Sequence, residues 1–134
     1  MYRILHDQEL FRTQCLINGR WCDAADKSVV DVVNPANGKQ LGTVPNCGEA
    51  ETRQAIEAAQ AAFGVWSART PQERGDLLHA WERAIAENIE DLARLLTLEE
   101  GKPLAEARGE ILQGASYFPW FAEEARRFSG DVTP

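Results

Sequence analysis

Apolar positions along this chain change their period once. Up to about residue 45 they come in short runs rich in β-branched residues, and from residue 49 onward they recur every three or four positions. The first run, Cys15-Leu16-Ile17-Asn18-Gly19-Arg20-Trp21, contains an Asn-Gly pair, the usual turn of a tight hairpin because both residues tolerate positive φ. Ser28-Val29-Val30-Asp31-Val32-Val33 follows, and Asn34-Pro35-Ala36-Asn37-Gly38 supplies a second turn ahead of Gln40 to Val44. We expect three short antiparallel strands within residues 15–45, preceded by an amino-terminal arm, residues 1–14.

The helical remainder spans residues 49–130. Ile56, Ala59, Phe63 and Trp66 fall on one face of a first helix. Thr70-Pro71-Gln72-Glu73 has the form of a capping box with proline in the first turn, opening a second helix along Leu77, Trp81, Ile85 and Ile89. Asn88 is the expected side-chain cap of a third helix through Leu92, Leu95 and Leu96, stopped by Gly101. Pro103 then suits the first turn of a fourth helix, whose apolar face is Leu104, Ala107, Ile111, Ala115, Phe118, Ala122, Ala125 and Phe128, ending near Gly130. Its expected length is about 39 Å at ~1.5 Å per residue. Pro119 removes one backbone bond in its middle, at a cost of about 3 kcal/mol unless the helix bends, so a kink is expected there. Gly109 and Gly114 are expected to let a neighbouring element approach closely. The sequence has no internal repeat and no low-complexity tract.

Composition changes this picture little. With 134 residues, 44% of them hydrophobic and 26% charged, the chain is suited to a single folded core rather than to disorder. The net charge of -7 repels phosphate backbones and anionic lipid surfaces, so neither nucleic acid nor membrane is an expected partner. Residues 1–10 carry Arg3, Asp7 and Glu9 and lack the apolar stretch of a secretory signal. Three cysteines, Cys15, Cys22 and Cys47, without framework spacing, suit a reducing compartment, and a cytoplasmic location is expected.

A search for chemistry returns little. His6 and His79 are far apart in sequence and belong to no metal-ligand pattern, and no glycine-rich phosphate loop is present. Cys47 precedes a helix whose dipole would lower a thiol pKa, yet Asn46, Gly48 and Glu49 offer no base, so it reads as an ordinary turn residue. Glu99-Glu100 and Glu123-Glu124 read as solvated helix faces rather than acid and base pairs, because adjacent helical residues point apart. Tyr117, Phe118, Trp120 and Phe121 occupy more than one helix face. They read first as core, with a substrate channel or a domain contact as the alternative.

Several stretches together resemble a known family. Leu16-Ile17-Asn18-Gly19-Arg20-Trp21, Asn34-Pro35-Ala36-Asn37-Gly38 and Leu98-Glu99-Glu100-Gly101-Lys102-Pro103-Leu104-Ala105-Glu106-Ala107 resemble, in that order, the opening of the aldehyde dehydrogenases. Trp120-Phe121-Ala122-Glu123-Glu124-Ala125-Arg126-Arg127, with Gly130-Asp131 after it, looks most like the succinate-semialdehyde and glutarate-semialdehyde branch. Pro119 departs from the ordinary helix former that relatives carry.

The resemblance implies an α/β family fold of which this segment is an α+β portion. It would comprise a short antiparallel hairpin region and about four helices, an incomplete part of the cofactor-binding domain. The full enzyme would be homo-oligomeric and would use NAD or NADP. A thiolate would attack the aldehyde, hydride would pass to the cofactor, and water would release the acid. The family's Pro-Trp-Asn, Glu-Leu-Gly-Gly and Gly-Gln-x-Cys motifs and its cofactor-binding lysine are absent from this sequence. No catalytic, cofactor-binding or metal-binding residue is therefore assigned, and neither NAD nor NADP is expected to bind this chain alone. Gln113 and Tyr117 are the residues assigned to the wall of a substrate channel. The expected partners are the rest of the dehydrogenase chain or homologous subunits.

Overall fold

Two hairpins lead into four helices in the computed structural model, which describes residues 5–127 and 130. The strands are β1 (Cys15–Ile17), β2 (Arg20–Cys22), β3 (Val29–Val33) and β4 (Gln40–Pro45). The helices are α1 (Glu49–Ser67), α2 (Pro71–Glu87), α3 (Ile89–Glu100) and α4 (Leu104–Glu124). A 3-10 turn, Gln8–Leu10, lies in the amino-terminal arm.

Three strands were expected and four are found among the described residues, because the Asn-Gly pair divides the first run in two. Asn18 and Gly19 have φ of 50° and 72°, the doubly positive conformation that matches strand twist in a two-residue hairpin. Leu16 consequently pairs with Trp21 and Cys15 with Cys22. β3 and β4 form a separate antiparallel pair, irregular between Val32 and Val33. In their turn the Asn34 side chain accepts the Ala36 amide at 2.8 Å, and Gly38, at φ 67°, donates to the Asn34 carbonyl at 2.7 Å. Asx chemistry thus closes the loop locally.

The start of α2 follows its sequence signal. Thr70 Oγ1 accepts the Glu73 amide at 3.2 Å, and Glu73 Oε2 accepts the Thr70 amide at 2.8 Å. Asn88 stands at the junction of α2 and α3 as expected, but its side chain does not cap α3. It donates to the Ala84 carbonyl at 2.8 Å, satisfying the end of α2 instead. Gly101 ends α3 in the left-handed region at φ 79°, with its amide on the Thr97 carbonyl at 2.9 Å.

Pro103 precedes α4 instead of occupying its first turn. α4 runs through Pro119 and ends at Glu124, about 32 Å of helix at ~1.5 Å per residue. It stops short of Gly130 because Arg126 and Arg127 donate to the carbonyls three residues back, a tightening that closes a helix end. Phe128 lies outside the described residues.

The packed region is α2 and α3 against α4. Ala93, Ala107 and Ala122 are wholly buried, and Gly75 of α2 sits so near α4 that a Cβ there would lie 3.2 Å from the Ala122 carbonyl. Small side chains let helix backbones approach, and dispersion between them accumulates with the close contact. Gly75 therefore has the close-approach role expected of Gly109 and Gly114, neither of which has a neighbour near its Cβ position. Trp81 of α2 adds an aromatic contact to Phe118 of α4, with ring centroids 4.8 Å apart. Asp91, buried in the first turn of α3, holds the amino-terminal arm by accepting the His6 and Asp7 amides at 2.7 and 2.8 Å, and it also meets Arg94 at 2.9 Å. No helix among the described residues is long and apolar enough to cross a membrane.

Candidate functional site

Gln113 and Tyr117 lie one turn apart on α4 and both are exposed. The helical period puts Trp120 and Phe121 on the same side. Tyr117, Trp120 and Phe121 are 54%, 63% and 58% exposed, so the expectation that the aromatic cluster is core holds only for Phe118, which turns onto Trp81. A helix with aromatic residues on two sides needs cover on both, and α2 and α3 leave Tyr117, Trp120 and Phe121 exposed. The outer face offers a primary amide, a phenol and two aromatic surfaces. These groups can wall or orient a ligand, but none of them is an acid, base or nucleophile poised for reaction.

The thiols are arranged differently from the sequence expectation. Cys47 does lie just ahead of α1, but burial pushes its pKa up, and the Cys15 thiol and the Glu51 carboxylate act in the same direction. The Glu51 carboxylate offsets the positive field of the helix start there. Glu51 accepts the Gly48 amide at 2.9 Å and the Ala25 amide at 2.8 Å, placing a negative charge where the thiolate would need a positive field. Cys47 Sγ instead lies 3.8 Å from Cys15 Sγ, a neighbour 32 positions earlier that spacing alone does not reveal.

Three of the four residues in the acidic pairs have a side-chain partner, and Glu99 is exposed. Glu123 meets His79 at 3.2 Å, Glu124 meets Arg127 at 2.8 Å, and Glu100 lies 3.7 Å from Lys102. Lys102 also pairs with Glu110, and Arg108 grips Glu90 with two bonds of 2.7 Å. Among the described residues, no group of three or more His, Cys, Asp or Glu side chains is arranged to hold a metal ion. The helix starts are acidic as well. Every helix carries a carboxylate in its first turn, Glu49 and Glu51, Glu73, Glu90 and Asp91, and Glu106, and these repel the charge that a phosphate-binding helix start must attract.

The sequence profile of the aldehyde dehydrogenase family matches residues 21–134. The chain belongs to the aldehyde dehydrogenase family. It is 54% identical over 130 residues to the succinate-semialdehyde dehydrogenase [NADP(+)] of Escherichia coli K12 and, over the same length, 54% identical to the glutarate-semialdehyde dehydrogenase of Pseudomonas putida. Each match covers 97% of this chain and 27% of the relative. The crystal structure of an NADP-dependent enzyme from E. coli superposes with a TM-score of 0.96 at 54% identity, covering 97% of this chain and 27% of that one. The two hairpins and four helices are thus the amino-terminal part of an aldehyde dehydrogenase fold. This dehydrogenase segment spans about a quarter of the length of the relatives it matches, 27%.

Proposed function

We propose that these residues open a dehydrogenase that oxidises succinate semialdehyde to succinate with NAD or NADP, and that the chain by itself is inactive. The observation that carries the first half is the 54% identity to a succinate-semialdehyde dehydrogenase across 97% of the chain. The second half is supported by chemistry: the described residues bring no base to any thiol and no cation cluster to a helix start. The role of this segment is scaffold. α4 presents Gln113 and Tyr117 to the substrate channel, and the rest of the dehydrogenase chain or homologous subunits in a homo-oligomer cover its aromatic face. Cytoplasmic residence is part of the same proposal.

Purified chain, mixed with succinate semialdehyde and NAD or NADP, should reduce cofactor no faster than buffer. Sustained turnover above that blank would refute the claim of inactivity. The intact mass of the native product tests the other claim: a species several times 14.9 kDa that oxidises succinate semialdehyde supports it, and a large product inert toward that aldehyde overturns it.

A second reading is a non-catalytic module that associates with full-length dehydrogenase subunits. It is favoured by the exposed Ile56, Phe63 and Val65 of α1 together with the outer face of α4. Co-purification with a full-length relative would support it, and a monomer that ignores such subunits would oppose it.

A further inference from the structure

The three cysteines converge in space although they are scattered in sequence. β1 carries Cys15, its hairpin partner β2 carries Cys22 directly opposite, and Cys47 lies in the segment that leaves β4 for α1. The Cys22 thiol turns back along its own strand and donates weakly to the Arg20 carbonyl at 3.4 Å. Cys47 and Cys15 face one another instead, with sulfurs 3.8 Å apart. A disulfide needs ~2.05 Å, so closure requires roughly 1.7 Å of movement, within reach of side-chain rotation. All three thiols are only partly buried, and Cys47 lines an open depression with Asn46, Gly48 and Glu49, through which a small reagent can approach.

From this geometry we infer that Cys15 and Cys47 form a reversible disulfide, a redox-responsive staple that ties the first hairpin to the start of α1. The oxidant class is a low-molecular-weight disulfide such as oxidised glutathione. One protein thiolate attacks it, forming a mixed disulfide and expelling one glutathione thiolate. The second protein thiol loses its proton and attacks the protein sulfur of that mixed disulfide, expelling the second. Two protein thiols are thereby oxidised and one glutathione disulfide is reduced to two glutathiones. The burial that raises the Cys47 pKa keeps this thiol mostly protonated at neutral pH, which slows formation without changing which pair is joined.

β1 packs on α1, so the link would fasten two elements that otherwise meet through side chains alone. It would also constrain the unfolded chain by closing the loop between residues 15 and 47. The oxidised form should therefore unfold at higher urea concentration than the reduced one.

The test is oxidation of the native chain by oxidised glutathione, with free thiols then blocked and the protein digested with trypsin. Cleavage after Arg12, Arg20, Lys27, Lys39 and Arg53 puts the three cysteines on separate peptides, residues 13–20, 21–27 and 40–53. The expected product has lost two hydrogen atoms in intact mass, and its main linked peptide joins 13–20 to 40–53. Cys22→Ser should leave this link in place, and Cys47→Ser should abolish it. A main link between 13–20 and 21–27, or glutathione adducts with no internal link, would overturn the assignment. The same digest after oxidation in urea supplies the unfolded comparison. There the shorter 15 to 22 loop should prevail, and an unchanged linkage pattern would show that the folded geometry does not select the pair.

Discussion

Helices α1 and α4 start from the same kind of sequence pattern and meet different fates in this chain. Both repeat apolar residues every three or four positions, and both are long, 19 and 21 residues. α4 buries Ala107, Ala115 and Ala122 against α2 and α3, whereas the larger stripe of α1, Ile56 and Phe63, remains 64% and 61% exposed. Periodicity marks the face that needs cover but says nothing of where the cover comes from. α1 stands on local devices: Glu51 accepting the Gly48 amide, Thr52 Oγ1 donating to the Gly48 carbonyl at 2.8 Å, and Arg53 bridging to Glu49 at 2.7 Å. Such devices contribute tenths of a kcal/mol each and replace packing poorly.

A matched pair of substitutions breaks this comparison most directly. Phe118→Ala removes the half-buried ring that α4 lays on Trp81, and should cost about 2 kcal/mol, less than the roughly 3–5 kcal/mol of a fully buried phenylalanine. Phe63→Ala makes the same chemical change on α1 and should stay within about 0.5 kcal/mol. Urea unfolding of both variants checks the difference. Equal losses would mean that α1 is covered in solution, by a second copy or by another chain, and the contrast between the helices would fall.

Gly101, where the end of α3 comes close to the turn between β3 and β4, is the next most sensitive position. Its φ of 79° disfavours any residue with a Cβ, and a Cβ there would lie 2.9 Å from Pro35 Cγ in the turn between β3 and β4. Gly101→Ala should destabilise by about 1.5 kcal/mol. The Gly101→Asn variant, which tolerates the left-handed conformation better, separates the two causes. If Asn recovers most of the loss, backbone strain dominates; if it recovers nothing, the contact with Pro35 couples the hairpin to the bundle.

What the sequence makes legible here is what neighbours in sequence decide. The Thr70 and Glu73 capping box, the Asn18-Gly19 turn and the Gly101 stop each involve residues within a few positions, and the structure realises all three. Sequence spacing is silent where a distant group or competing acceptor intervenes. Asn88 found the Ala84 carbonyl nearer than the free amides of α3, and Cys47 found Cys15 from another hairpin. The α4 face was legible as a face, since Gln113 and Tyr117 are a turn apart, but periodicity does not say which groups lie opposite it. Tyr117, Trp120 and Phe121 read as core for a related reason: pattern marks an apolar face but not whether neighbouring elements cover it, and here all three stay exposed.

Acid titration sharpens the comparison most finely, because two buried carboxylates each tie a stretch of the front of the chain to a helix. Glu51 ties the front of the chain to α1 and Asp91 ties the amino-terminal arm to α3. The Ala25 amide, chiefly, and the Gly48 amide hold Glu51 below its ordinary value of 4.5, and the Asp7 amide leads those holding Asp91 below 3.8. A carboxylate with a depressed folded-state pKa contributes stability that is complete above the unfolded value and is lost as pH falls through the folded one. Stability measured by urea unfolding should therefore hold steady at neutral pH and begin to fall below pH 4.5, with the Asp91 contribution following below 3.8. Glu51→Gln should lessen the first part of that decline, to which Glu73 and Glu90 also contribute, and leave the Asp91 part. An unchanged slope in Glu51→Gln would mean that α1 and the front of the chain are not joined through this carboxylate in solution, and α1 would then be held even more loosely than its bare face implies.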